Sequence, residues 1–280
     1  MPKDGPVFQF DQQCYPLLEI SDFVEAFPED KDFIKQLIEE DTISEILETL
    51  NAHRDEETGL FVTDESPGDD AVEYPFHFSS HVLLWHTLTR LSRTLTKLGD
   101  SSNLNASTLE DMASEIKSAT LRHFVCADKF AYLTDGNGNH TFYHDANDLP
   151  TLFALDWGFI STPSERLVWS KTMDYGSSPE NEGFFPKGRF QGLGSVHTRA
   201  PWPLGYAQEL IYAELTRNGN ARESAWTRIK GAMFWDGMFA EAVDGETGRC
   251  VSKAWFSWPG SVIGSALLKR GQGELLSQAK

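Results

Sequence analysis

His144, Asp145 and Asp148 crowd into one stretch, Phe142 to Leu155, with the sequence FYHDANDLPTLFAL. Two carboxyls and an imidazole are groups that give and take protons. Asp148-Leu149-Pro150 followed by Thr151 to Leu155 reads as a helix start, because Asp is favoured at an N-cap and Pro is tolerated in the first turn. A carboxylate just ahead of such a helix rides on a loop held by a rigid element, where catalytic groups concentrate. Asp148 reads first as the cap of this helix. Asp145 stands open between capping and proton transfer, because Glu241, far along the chain, has a matching context ahead of the turn residues Asp244-Gly245.

The elements that must hold these groups are two hairpins and a set of helices. Phe130 to Tyr143 has two aromatic-rich runs around Asp135-Gly-Asn-Gly138, residues that supply the positive φ of a hairpin turn. It delivers the chain to His144-Asp145. Phe239 to Gly248 repeats the scheme around Glu241, and Trp255-Phe-Ser-Trp258 follows. Apolar spacing predicts helices over 30–53, with Phe33, Leu37, Ile38, Ile43, Ile46, Leu47 and Leu50 on its core side, and over 78–98 and 107–124. Ser107-Thr-Leu-Glu110 fits a capping box for the last of these. Further helices are expected within 8–27, after Pro150, over 164–175, 202–217 and 221–234, and at the end to about residue 270. Residues 54–76 read as an acidic loop with a possible strand at Thr58 to Val62, and 176–201 as a loop rich in Gly and Pro. Eight or nine helices without strand–helix alternation exclude a parallel sheet. The expected fold is mainly α, one domain over 1–280 shaped as a helical toroid with its loops gathered at one end.

Bulk properties narrow the partners. The 280 residues carry a net charge of −18, which repels nucleic acid and anionic membrane and leaves a neutral carbohydrate unaffected. Aromatics make up 12%, enough both to fill a core and to build platforms for sugar rings. Cys14, Cys126 and Cys250 are odd in number and form no CxxC, so neither a disulfide scaffold nor a zinc knuckle is expected. His77 and His81 lie four apart without HExxH, and no metal site or cofactor is expected from them. No apolar run approaches the roughly 18 residues of a membrane span. The start MPKDGPVF has no signal-peptide pattern, which leans the expectation toward the cytoplasm.

A series of loop motifs, in order, resembles glycoside hydrolase family 125, the metal-independent exo-α-1,6-mannosidases with an (α/α)6 toroid. Phe10 to Pro16 is similar to the family's ELDSLCYP. Ser66 to Phe76, with Asp69 and Asp70, is similar to PSDDACxYPF. Phe130 to Leu155 resembles its hairpin followed by DDANVPSLLSL. Phe184 to Gly188 resembles YFFKG, Gly192 to His197 resembles GIGSPH, and Trp202-Pro203 resembles IWPM. Phe239 to Glu241 stands where the family has MHES, and Trp255 to Trp258 where it has WFAW.

The resemblance implies an inverting glycosidase with an Asp acid from DDAN and a Glu base from MHES, here Asp145 and Glu241. Such an acid must hold its proton near neutral pH, which burial beside Phe142 and Tyr143 would favour. Asp11, Asp69, Asp70, His144, His197 and Arg199 are expected to meet sugar hydroxyls. Trp202, Trp255 and Trp258 are candidate stacking faces, with core packing the competing use. The chain departs from the motifs at His144, which replaces the first acid, at Val196 for the proline, at Ala240 for a histidine, and by one residue inserted before Pro150. The family also has a further N-terminal segment and more helices, so a fragment or an incomplete ring is expected, with an oligomer as one way to cover an open wall. A non-catalytic member that binds a glycan or a protein partner is the alternative reading.

Overall fold

The computed structural model describes residues 7–99 and 104–271. The first six residues, at the start of MPKDGPVF, and Asp100, paired with Gly99 as a helix stop, lie outside them. The chain divides into two compact units at Thr141/Phe142.

In the first unit a single 3-10 turn, Asp11–Gln13, leads into α1, Cys14–Ala26; α2 is Lys31–Glu39 and α3 is Asp41–Ala52. The single helix expected over 30–53 is therefore two. Glu40 adopts an extended conformation (ψ 151°) between them. The five-residue step from Ile38 to Ile43 marks the break, since one apolar stripe needs steps of three or four. Phe33, expected on the core side, is 58% exposed, and Ile34 is buried instead, beside the expected Ile38. After β1, Phe76–His77, comes α4, Phe78–Leu98, with the predicted bounds and with Gly99 at φ 93° closing it. α5, Ala106–Phe124, is capped by Asn105, whose side chain accepts from the N–H groups of Ser107 and Thr108; the expected capping box at Ser107 is displaced by this nearer acceptor. Short strands follow: β2 Val125–Cys126, β3 Lys129–Phe130, β4 Leu133–Thr134 and β5 His140–Thr141. Strands β4 and β5 form the predicted hairpin, with Asp135 Oδ1 accepting from the Asn137 and Asn139 N–H groups, and β1 adds a third strand. The expected strand at Thr58 to Val62 reduces to isolated bridges at Phe61 and Val62. α4 packs between α1 and α5.

The second unit begins with α6, Leu149–Phe153, and α7, Pro163–Gly176. α7 carries a full capping box between Thr162 and Glu165. Where a Gly/Pro-rich loop was expected, three strands form a sheet: β6 Phe184–Phe185, β7 Gly192–Ser195 and β8 Ala200–Pro201. Every residue of β7 is buried, and a Cβ on Gly192 would lie 2.6 Å from the Tyr206 ring. Glycine lets this strand lie flat on α8, Pro203–Leu215. α9, Gly219–Ala232, and α10, Ser257–Gly271, pack on α8, and between them β9, Ala242–Val243, pairs with β10, Cys250–Ser252. One core cluster joins Ala146, Leu193, Trp202, Leu204 and Ala242. Ten α-helices are present among the described residues, and none is long and apolar enough to cross a membrane.

Candidate active site

The Asp145 loop is held from below. The buried His144 ring bonds Gln208 Oε1 through Nε2 at 2.9 Å, and Gln208 Nε2 donates to the carbonyls of Asp145 and Ala146 at 3.0 and 2.8 Å. Asn181 clamps the His144 backbone on both its N–H and C=O. A Cβ on Gly176 would lie 2.5 Å from the His144 ring. Burial drives the His144 pKa below its ordinary value against the pull of Asp148, which keeps the ring neutral. His144, expected at sugar hydroxyls, is therefore a buried support beneath the loop. Asp148 stands at the start of α6 but does not cap it with its side chain. Its Oδ2 accepts the Asp145 N–H at 3.0 Å instead. This replaces the capping role expected for Asp148.

Asp145 is 5% exposed. Its Oδ1 accepts the Asn147 N–H at 2.8 Å, and its Oδ2 accepts the Tyr143 hydroxyl at 2.5 Å. Burial and the facing carboxyl of Asp148 push its pKa up to about 6, against hydrogen bonds from Ser195, Tyr143 and the Asn147 backbone. A carboxyl in this setting keeps a proton well above the pH at which an exposed aspartate loses it.

Glu241 is 1% exposed, yet lies in an opposite setting. Oε1 takes Lys253 Nζ at 2.7 Å; Oε2 takes Ser252 Oγ at 2.7 Å and Thr198 Oγ1 at 3.2 Å. Burial raises its pKa, but these donors and the lysine charge outweigh it and hold the carboxyl below its ordinary value. The hairpin register supplies the partner: Ala242 pairs with Ser252, and the Glu241 N–H bonds the Lys253 carbonyl at 3.1 Å.

The turn between β7 and β8 touches both carboxyl settings. The Val196 N–H donates to Tyr143 Oη at 3.0 Å, and Thr198, two residues on, reaches Glu241. Trp202, expected as a stacking face, is 2% exposed and donates its indole N–H to the Thr198 carbonyl at 3.0 Å, so it anchors this turn from the core. His197 lies in the turn, its N–H on Ser195 Oγ, and Arg199 is exposed and paired with Glu182 at 2.9 Å. Trp255 is 61% exposed with φ 60°, its indole N–H tied to Asp236 at 2.7 Å. Trp258 is also exposed.

The first unit groups Asp11 and Asp69. Asp11 is buried, and its Oδ1 has no hydrogen-bond partner among the described residues. Burial raises its pKa, His77 draws it down and Asp69 pushes it up. Asp69 sits at φ 62° and accepts Gln9 Nε2 at 2.7 Å, and the Asp70 carbonyl accepts the Ser66 N–H. His81 Nε2 accepts the Phe61 N–H at 2.9 Å inside an aromatic cage, and burial lowers its pKa to about 3. Among the described residues no group of three His, Cys, Asp or Glu side chains is arranged to hold a metal ion.

Three partners of Glu241 escaped the sequence reading, Thr198, Ser252 and Lys253, and Tyr143, expected to bury Asp145, also donates its hydroxyl to it. Lys253 was within reach, because the hairpin centred on Asp244 to Gly248 folds it back opposite Glu241. Nothing local marks Thr198.

Comparisons with known proteins extend this picture. A 26% identical relative over 212 residues is the meiotically up-regulated gene 157 protein of Schizosaccharomyces pombe; the match takes in 72% of this chain and 40% of that protein's length. The structure resembles a Streptococcus pneumoniae metal-independent alpha-mannosidase, solved in a non-productive complex with alpha-1,6-mannobiose, at a TM-score of 0.78 and 19% identity, covering 95% of this chain and 69% of the other. It also resembles a GH63 mannosylglycerate hydrolase from Thermus thermophilus at a TM-score of 0.61 and 14% identity, over 92% and 75% of the two chains. The fold class is thus that of the α/α-toroid glycosidases. The model of the metal-independent alpha-mannosidase family GH125 matches residues 24–268, and the chain belongs to that family.

Proposed function

We propose that this protein is a glycoside hydrolase, an exo-acting inverting α-mannosidase on α-1,6-linked mannose, with Asp145 as general acid and Glu241 as general base. The supporting observation is that two buried carboxyls of one unit are biased to opposite protonation states. Asp145, raised by burial and Asp148, keeps a proton to give; Glu241, held by Lys253, Ser252 and Thr198, stays ionised to accept one. In the reaction the Asp145 O–H protonates the glycosidic oxygen as its bond to C1 breaks. Water attacks C1 from the opposite face and loses a proton to Glu241, so the mannose leaves as the β-anomer. This geometry requires the carboxyls to stand about 6.5–9.5 Å apart, with a water between.

Within the second unit His197 and Arg199 are proposed to meet sugar hydroxyls, and Asp11, Asp69 and Asp70 carry the same proposal within the first. The strongest support among them is the buried Asp11 Oδ1, which has no hydrogen-bond partner among the described residues. Trp255 and Trp258 are the exposed faces available for stacking. The test is α-1,6-mannobiose with purified protein, followed by proton NMR from the first minutes. Release of β-mannose by wild type, abolished in Asp145→Asn and in Glu241→Gln, is expected. No release by any of the three defeats the enzyme reading and leaves a glycan-binding member of the family.

A further inference from the structure

We propose that Tyr143 is a positioning residue for Asp145, itself aimed by the backbone N–H of Val196, so that the β7–β8 turn fixes how the acid's carboxyl is held. The proposal rests on Asp145 being the general acid. A tyrosine hydroxyl has one hydrogen to donate and two lone pairs. The Val196 N–H occupies a lone pair at 3.0 Å, which turns the O–H toward Asp145 Oδ2 at 2.5 Å. Oδ2 is thereby held as the acceptor of the Tyr143 hydroxyl. After that proton is given up, Tyr143 on Oδ2 and the Asn147 N–H on Oδ1 both stabilise the carboxylate that remains.

Proline has no N–H, so a proline at position 196 would remove the bond that aims Tyr143. The titratable groups facing Asp145 are Asp148, from the start of α6, and Tyr143; His144 faces Asp148 and Gln208. The turn contributes Ser195 and Val196, both uncharged, and Glu241 is reached from its far end through Thr198.

The test is a carbon-13 NMR titration of protein labelled at the aspartate carboxyls, with the Asp145 signal assigned by its loss in Asp145→Asn. Removing a hydrogen bond to the ionised form raises a carboxyl's pKa. Tyr143→Phe is expected to raise the Asp145 midpoint by about one pH unit. Val196→Pro should raise it by less, and Val196→Ala, which keeps the N–H, should leave it in place. The falling limb of kcat/KM on α-1,6-mannobiose should move with the midpoint in each variant, which a purely structural role would not produce. An unchanged midpoint in Tyr143→Phe overturns the relay, and so does a Val196→Ala shift as large as that of Val196→Pro. A midpoint that moves while the rate profile does not, with Asp145→Asn still active, overturns the acid assignment and not the hydrogen bonds.

Discussion

Asp145 and Glu241 are both closed off from solvent, yet their surroundings push them apart. Around Asp145 the facing charge is another carboxylate, Asp148, and most donors are neutral or backbone groups. Around Glu241 an ammonium sits at 2.7 Å with two hydroxyls beside it. Burial alone raises both. What separates them is the sign of the neighbour, and each neighbour comes from local chain geometry. Asp148 is brought in by the tight DAND turn into α6, and Lys253 by the hairpin register. The lesson is that a buried carboxyl's protonation is written in its partners as well as in its depth.

Changes on each side should break this pairing in graded ways. The largest effect is expected from Asp145→Asn and Glu241→Gln, each lowering kcat on α-1,6-mannobiose by about 10²–10⁴-fold, the usual worth of a proton-transfer group. Gly176→Ala should act on the acid side alone. A Cβ driven into the His144 ring is expected to cost about 1–3 kcal/mol of stability in urea unfolding, as overpacked cores do. Lys253→Met acts on the base side. With its counter-charge gone Glu241 holds a proton to higher pH, so the rising limb of kcat/KM should move up, with roughly a tenfold loss at its former midpoint. The smallest change is expected from Asp148→Asn, which keeps an acceptor for the Asp145 N–H but removes the like charge. Asp145 then ionises at lower pH, and the falling limb should move down by less than about one pH unit. A Lys253→Met shift in the falling limb, or an Asp148→Asn shift in the rising one, would mean that the two roles are exchanged.

The parts of the molecule legible in its sequence were those with a strong period or a turn with fixed chemistry. α4 was marked by leucines at threes and fours and by Gly99, and both hairpins by Asp-Gly turns whose side chains do cap the turn backbone. The break at Glu40 was visible only as one wrong step in the apolar spacing. The β6–β7–β8 sheet was hidden because glycines, which deny a strand its usual signature, are what let β7 press against Tyr206. The two carboxyls were legible through the family motifs. Their partners were less so: Thr198 meets Glu241 only through tertiary packing, and Tyr143, expected beside Asp145 as a burying aromatic, bonds it through its hydroxyl. His144 and Trp202 were misread for a related reason. Motif position places a side chain near its loop, but whether it braces that loop depends on its partners, and His144 is tied to Gln208 and Trp202 to the Thr198 carbonyl.

The pH dependence of kcat/KM for wild-type protein on α-1,6-mannobiose tests the central claim most directly, because it reports the free enzyme's acid and base. Activity should rise through a limb below the ordinary glutamate range, as Glu241 ionises, and fall again near pH 6, as Asp145 gives up its proton. Activity that instead climbs through pH 6 and holds on the alkaline side would mean that Asp145 works ionised, and would contradict the account.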